Sequence, residues 1–110
     1  MIVVTICTLT ARRLNPGAYE AFRAAWDPGE HSDDPALQRW KRIYHVRDVA
    51  DPDVVISFGF FQGSVDELRE IQAAMGRNDQ LAEVSPHVDE VLLDGAYEVI
   101  EEIDPETLTR

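Results

Sequence analysis

Three histidines, one cysteine and a short basic cluster are the side chains of this chain best suited to chemistry. Histidine is the side chain type whose ordinary pKa lies nearest neutral pH, so His45 and His87 are candidate general acids or bases. His31 stands among acids in the segment GEHSDDPA, and with Asp33 and Asp34 it has the residue types of a metal site. The spacing matches no specific ligand pattern, so the segment reads as a solvated loop and no metal is expected. Four of the ten basic residues, Arg39, Lys41, Arg42 and Arg47, fall within nine positions. On an otherwise acidic chain such a cluster either steers an anion or guards the edge of a sheet. Trp40, Arg42 and Tyr44 alternate onto one face of that segment, with Ile43 and His45 on the other. Phosphate loop, dinucleotide fingerprint, zinc spacing and nucleophile elbow are all missing, so no cofactor is expected. Cys7 has no second cysteine to pair with and sits in an apolar run, as a packed thiol in a reducing cytoplasm would.

These side chains must be held by one small domain. The chain has 110 residues, 45% of them hydrophobic, enough for a core and too many for disorder. A formal net charge of −11 argues against nucleic acid and against an anionic membrane surface, both of which require a basic face. The opening MIVVTICTLTARR carries its charges after the apolar stretch, unlike a signal peptide, and no window approaches the roughly 20 apolar residues of a membrane span.

Residues 54–61 (VVISFGFF) form the most apolar run and read as a strand buried on both faces. The acid-and-proline segment DVADPD precedes it as a turn. Ser64 with Glu67 makes a capping box, Leu68, Ile71, Gln72 and Met75 follow at helical spacing, and Gly76 is the stop. Upstream, residues 2–10 (IVVTICTLT) are expected to be a strand. Asn15-Pro16 reads as the cap of a helix whose face carries Tyr19, Phe22 and Trp26. Residues 41–48 form a charged strand. Leu81, Val84, Val88, Val91 and Leu92 keep a helical period and predict helix over 78–93, in one piece or two, before a last strand at 96–103. Residues 1–103 then make the domain, and 104–110 a polar tail. With the first and third strands apolar and the second and fourth charged, the fold class is α+β, ferredoxin-like βαββαβ. It has an antiparallel sheet of order 4-1-3-2, with the helices on one face. Apolar side chains on both faces of the third strand predict a homodimer through the open face.

The segment HVRDVADPDVVISFGFFQGSVDEL and the terminal GAYEVIEEI make the chain resemble the dimeric α/β-barrel proteins, in particular the antibiotic biosynthesis monooxygenase-like group. The resemblance spans about residues 2–103. It implies a barrel closed across the dimer and a pocket between helices and sheet. It also implies an activity on small aromatic molecules such as phenols, quinols and polyketides, without a cofactor. Binding without chemistry and a purely structural dimer are the alternatives. The haem-degrading branch has an asparagine on the first strand and a tryptophan near the third. This chain has Thr5 and Thr8, and Phe58, Phe60 and Phe61, so the resemblance does not extend to haem. For a cofactor-free oxygenase, His45, His87, Tyr44 and Arg42 are the candidate catalytic residues, and Tyr19, Phe22, Trp26, Trp40, Phe58 and Phe60 the candidate ligand-binding walls.

Overall fold

A computed structural model of the chain describes residues 4–26 and 38–108. Four strands form one antiparallel sheet: β1 (Val4–Leu14), β2 (Trp40–Arg47), β3 (Val54–Gly63) and β4 (Val88–Glu98). Three helices, α1 (Tyr19–Trp26), α2 (Val65–Ala74) and α3 (Arg77–Val84), cover one face of it. The spatial order β2-β3-β1-β4 is the order expected, with the two most apolar strands in the middle. The layer between helices and sheet holds two small cores. Leu14, Phe22, Val55 and Val84 form one, and Ile6, Phe61 and Leu68 the other. Phe22, Phe61 and Leu68 have no exposed surface, and burying each contributes roughly 1.5–3 kcal/mol.

Helix α2 begins as its sequence dictates. Ser64 Oγ accepts from the Glu67 amide while Glu67 Oε1 accepts from the Ser64 amide, which satisfies two otherwise orphaned donors. Gly76 adopts a φ of 72°, a left-handed conformation that ends α2 and caps the start of α3. Asp48 Oδ1 accepts from the Ala50 and Asp51 amides, so the DVADPD segment is the turn it was read to be.

Four local expectations need correction. Strand β1 runs on through Ala11-Arg12-Arg13-Leu14, because both of its neighbours continue to pair with it there. Asn15 does not cap α1 with its side chain. Its Nδ2 donates to the Pro86 carbonyl and ties β1 to the turn before β4. Residues 88–93 are strand, and the last strand is Val88–Glu98, not 96–103. Within 78–93, helical structure is confined to α3 and the 3₁₀ turn Ser85–His87. The misleading period at Val88, Val91 and Leu92 comes from two irregularities in the β1–β4 register, which break the two-residue alternation and mimic a three-to-four spacing. Finally, β2 does not alternate cleanly. A register shift between Trp40 and Ile43 puts Trp40 on the same face as Ile43 and His45, and leaves Arg42 and Tyr44 on the other. Gly59 makes this possible. A Cβ there would stand 2.8 Å from the Arg42 carbonyl oxygen and 3.0 Å from Trp40 Cδ1, so only glycine lets β2 fold this closely over β3. Among the described residues, no helix is long and apolar enough to cross a membrane.

Candidate functional site

The helices do not close down on the whole sheet. Between the two cores lies a cavity of about 670 Å³, within the usual range of roughly 300–1,000 Å³ for small-molecule sites. Its floor is the middle of the sheet: Thr8, Thr10 and Arg12 from β1, Ser57 and Gly59 from β3, Ile43 from β2, and Asp94 and Ala96 from β4. The rings of Trp26 and Trp40, with Met75 and Leu81, give it apolar walls, and Arg69, Gln72, Arg77, Asp79, Gln80 and Glu83 bring polar groups from α2 and α3.

The floor is polar because of where small residues fall on one strand face. Ile6, Thr8, Thr10, Arg12 and Leu14 share the helix-facing side of β1, and Thr10 lies directly across from Ser57 of β3 and Asp94 of β4. Threonine, serine and glycine in the centre leave room where the valines, leucine and phenylalanines at either end fill it. Most polar groups here are matched. Asp94 Oδ1 accepts from Thr10 Oγ1 and from Arg77 Nη2, both at 2.9 Å. Trp40 Nε1 donates to Thr8 Oγ1 at 3.0 Å, and Gln80 Nε2 to the Trp26 carbonyl at 2.7 Å.

Arg12 and, beside Ser57, His45 are the exceptions, Arg12 the one that lines the cavity. Arg12 is only 4% exposed, its carbon Cζ lies 5.2 Å from the centre of the Phe22 ring, and its Nη1 is buried without a hydrogen-bond partner among the described residues. Burial pushes its pKa below the ordinary arginine value, the charge of Asp94 raises it, and that of Arg77 lowers it. A first strand that ends at Thr10 leaves this residue outside the sheet, and β1 runs on to Leu14. Parity along a strand continued to Leu14 is the signal that finds it.

The residues expected to form the site are dispersed. Trp26 and Trp40 border the cavity. Phe58 borders it too, although alternation sends its side chain to the far face, where it stacks on Tyr44 at 5.1 Å and meets Phe60 edge-on at 6.0 Å. Arg42 is exposed on that same far side of β2. Phe22 is packed in the core, and Tyr19 borders a separate hollow of about 200 Å³ beneath the Arg47 guanidinium. His87 sits on the 3₁₀ turn, where its carbonyl accepts from the Asn15 amide. His45 reaches the floor through Ser57: Nδ1 and Ser57 Oγ are 2.7 Å apart, and the ring meets Trp26 and Phe22 edge-on at 4.6 and 6.0 Å. Burial, and then the charges of Arg23 and Arg12, lower the His45 pKa, so the ring is neutral near pH 7. Its Nε2 is buried with no partner among the described residues. His31, Asp33 and Asp34 lie outside the described residues. Among those described, no cluster of three or more His, Cys, Asp or Glu side chains could hold a metal ion.

No family model and no curated protein matches the chain. Solved structures do. A protein of Caulobacter crescentus CB15, provisionally assigned as an antibiotic biosynthesis monooxygenase, superposes with a TM-score of 0.69 at 13% identity, over 89% of this chain and 92% of that one. One of Chloroflexus aurantiacus J-10-fl, with the same provisional assignment, gives 0.65 at 16% identity, over 91% and 97%. A nipsnap family protein of unknown function from Agrobacterium tumefaciens gives 0.62 at 14% identity, over 87% and 88%. At these identities what is shared is the fold, and over nearly its whole length this chain has the ferredoxin-like α+β fold of the antibiotic biosynthesis monooxygenase-like proteins.

Proposed function

We propose that the cavity between helices and sheet binds a small aromatic molecule, a phenol, quinol or polyketide, and that the protein oxidises it as a cofactor-independent monooxygenase-like enzyme. It acts as a homodimer in the cytoplasm. The observation that carries this reading is the cavity itself, large enough for a fused-ring molecule, walled by Trp26 and Trp40 and floored by hydrogen-bonding side chains. The provisional assignments of the structural neighbours agree with it. An activated methylene between phenolic rings ionises, gives electrons to dioxygen and forms a carbon–oxygen bond, and loss of water from the hydroperoxide leaves the ketone. The balance is R₂CH₂ + O₂ → R₂C=O + H₂O, with no outside reductant. The protein's share is to exclude water, hold the ring and stabilise the ionised substrate with the cationic side chain at the floor.

Binding without turnover is the second reading, and one observation favours it. The carboxylate on the cavity floor, Asp94, is already engaged by Arg77 and Thr10, and His45 is held among aromatic rings. One experiment separates the two. Anthrone and a set of quinols are titrated into the protein while tryptophan fluorescence and dissolved oxygen are followed together. Saturable quenching with protein-dependent oxygen uptake and ketone formation is the expected result. Quenching without oxygen uptake leaves a binding protein, and neither signal leaves the structural dimer.

A further inference from the structure

We infer that the ligand of this cavity carries one oxyanion, a carboxylate or a phenolate, and that Arg12 is the residue that binds it. The inference rests on the reading of the cavity as a small-molecule site and names the class of molecule it takes.

A guanidinium taken out of water is stabilised only by hydrogen bonds and opposite charge. Arg12 has surrendered nearly all of its surface, yet Nη1 has no acceptor among the described residues. Two compensations are present and neither completes it. The Phe22 ring lies against the cation and supplies attraction from its face but no acceptor lone pair. Asp94 supplies charge, but its Oδ1 is occupied by Thr10 and Arg77 and its Oδ2 by a second contact from Arg77 at 3.2 Å. Arg12 therefore lines an accessible cavity with donor capacity to spare, and a guanidinium suits a planar oxyanion.

The surroundings set the charge of the ligand at one. Around the cavity, Arg77 is neutralised by Asp94, and the remaining helix-borne groups are Arg69 with Asp79 and Glu83. The floor has one uncompensated positive charge below a rim that is net acidic, on a chain of net charge −11. A multiply charged phosphate ester would meet repulsion at that rim and find a single cation inside. A monoanionic aromatic leaves its ring between the tryptophans and its charge on Arg12.

The probes are 2-naphthoate, its neutral isostere 2-naphthamide, and 4-nitrophenol, whose absorption reports its ionisation. Binding is read by tryptophan quenching and thermal shift on the full chain. Naphthoate should bind at least roughly tenfold more tightly than naphthamide, as expected for a charge-assisted hydrogen bond in a desolvated site. Arg12→Gln should remove that preference, weakening naphthoate and leaving naphthamide within about twofold, while Arg12→Lys restores part of it. A shift of bound 4-nitrophenol toward its phenolate spectrum would identify phenolates as accepted, and no shift beside a naphthoate preference would restrict the class to carboxylates. Equal binding of naphthoate and naphthamide, unchanged in Arg12→Gln, overturns the role of Arg12 while leaving the cavity a ligand site. Failure of every probe to bind the unmutated protein removes the cavity reading and this inference with it. Should Arg12→Gln not fold, the guanidinium resonance of Arg12 in ¹⁵N-labelled unmutated protein decides the matter. It moves with naphthoate and not with naphthamide if the inference holds, and with neither or both if it fails.

Discussion

At the scale of single residues, the arrangement of His45 has a consequence for stability that can be measured without any ligand. The ring is wedged edge-on against Trp26 and Phe22, and its charged form loses water there while facing the charges of Arg23 and Arg12. The folded-state pKa is therefore below the ordinary value of 6.5, and the unfolded chain binds the proton more readily than the folded one. The stability tied to neutral His45 is fully present above about pH 6.5 and is lost as pH falls through the depressed folded-state value. The melting temperature of the unmutated protein should decline as pH falls below about 6.5, ahead of carboxylate protonation. His45→Gln, which keeps a hydrogen-bonding partner for Ser57, should flatten that decline. An equally steep decline in the variant would assign the pH dependence to other groups.

At the scale of elements, the shape of the site depends on one glycine more than on any of the candidate catalytic side chains. Gly59 allows β2 to carry Trp40 and Ile43 on the same face, and so puts an indole over the cavity beside Phe61, whose ring centre is 4.9 Å away. Gly59→Ala would drive a methyl group against the Arg42 backbone, which cannot swing aside as a flexible side chain could. The expected cost is about 1–3 kcal/mol, the range for overpacking a tight site. It should come with a changed Trp40 environment in near-ultraviolet circular dichroism. An alanine variant with unaltered stability and spectrum would mean that β2 has slack at this point. The capping box of α2 is the contrasting case. Its two hydrogen bonds are local, involve residues three apart, and were legible from Ser64 and Glu67 alone.

At the scale of the whole molecule, the described residues form a slab of 44 × 38 × 21 Å, thin because helices cover only one face of the sheet. The uncovered face is not polar. Tyr44, Val46, Leu93 and Tyr97 are about two-fifths to one-half exposed there, around the half-buried Phe58, Phe60 and Ile56. An apolar surface of this kind in a 12.4 kDa chain marks an interaction site, and a second copy of the same face is the occupant proposed here. The dimer interface should exceed roughly 1,200 Å² in total. Sedimentation equilibrium at micromolar concentration should return twice the chain mass, and Phe58→Asp, at the centre of that face, should give monomer or aggregate. A well-behaved monomer of the unmutated chain would refute the assembly. Ser57, the neighbouring position, is the wrong place for that test, because it faces the helices and the cavity.

The order of the elements, the assignment of inner and outer strands, the turn before β3 and the start of α2 were all determined by the sequence itself. Each rests on a local cue: hydrophobic runs for central strands, charges for edges, an acid-and-proline turn, a serine three residues ahead of a glutamate. What only the tertiary structure decided was parity. Whether residues 88–93 coil or extend is settled by pairing with β1, 74 to 82 residues away, and the irregularities in that pairing disguise the strand as a helix. Whether Trp40 shares a face with Tyr44 or with His45 is settled by the approach of β2 to Gly59. Arg12 stayed hidden for the same reason. A strand read as ending at Thr10 has no inward position left for an arginine, and only the continued pairing of both neighbouring strands extends β1 far enough to carry that charge beneath the helices.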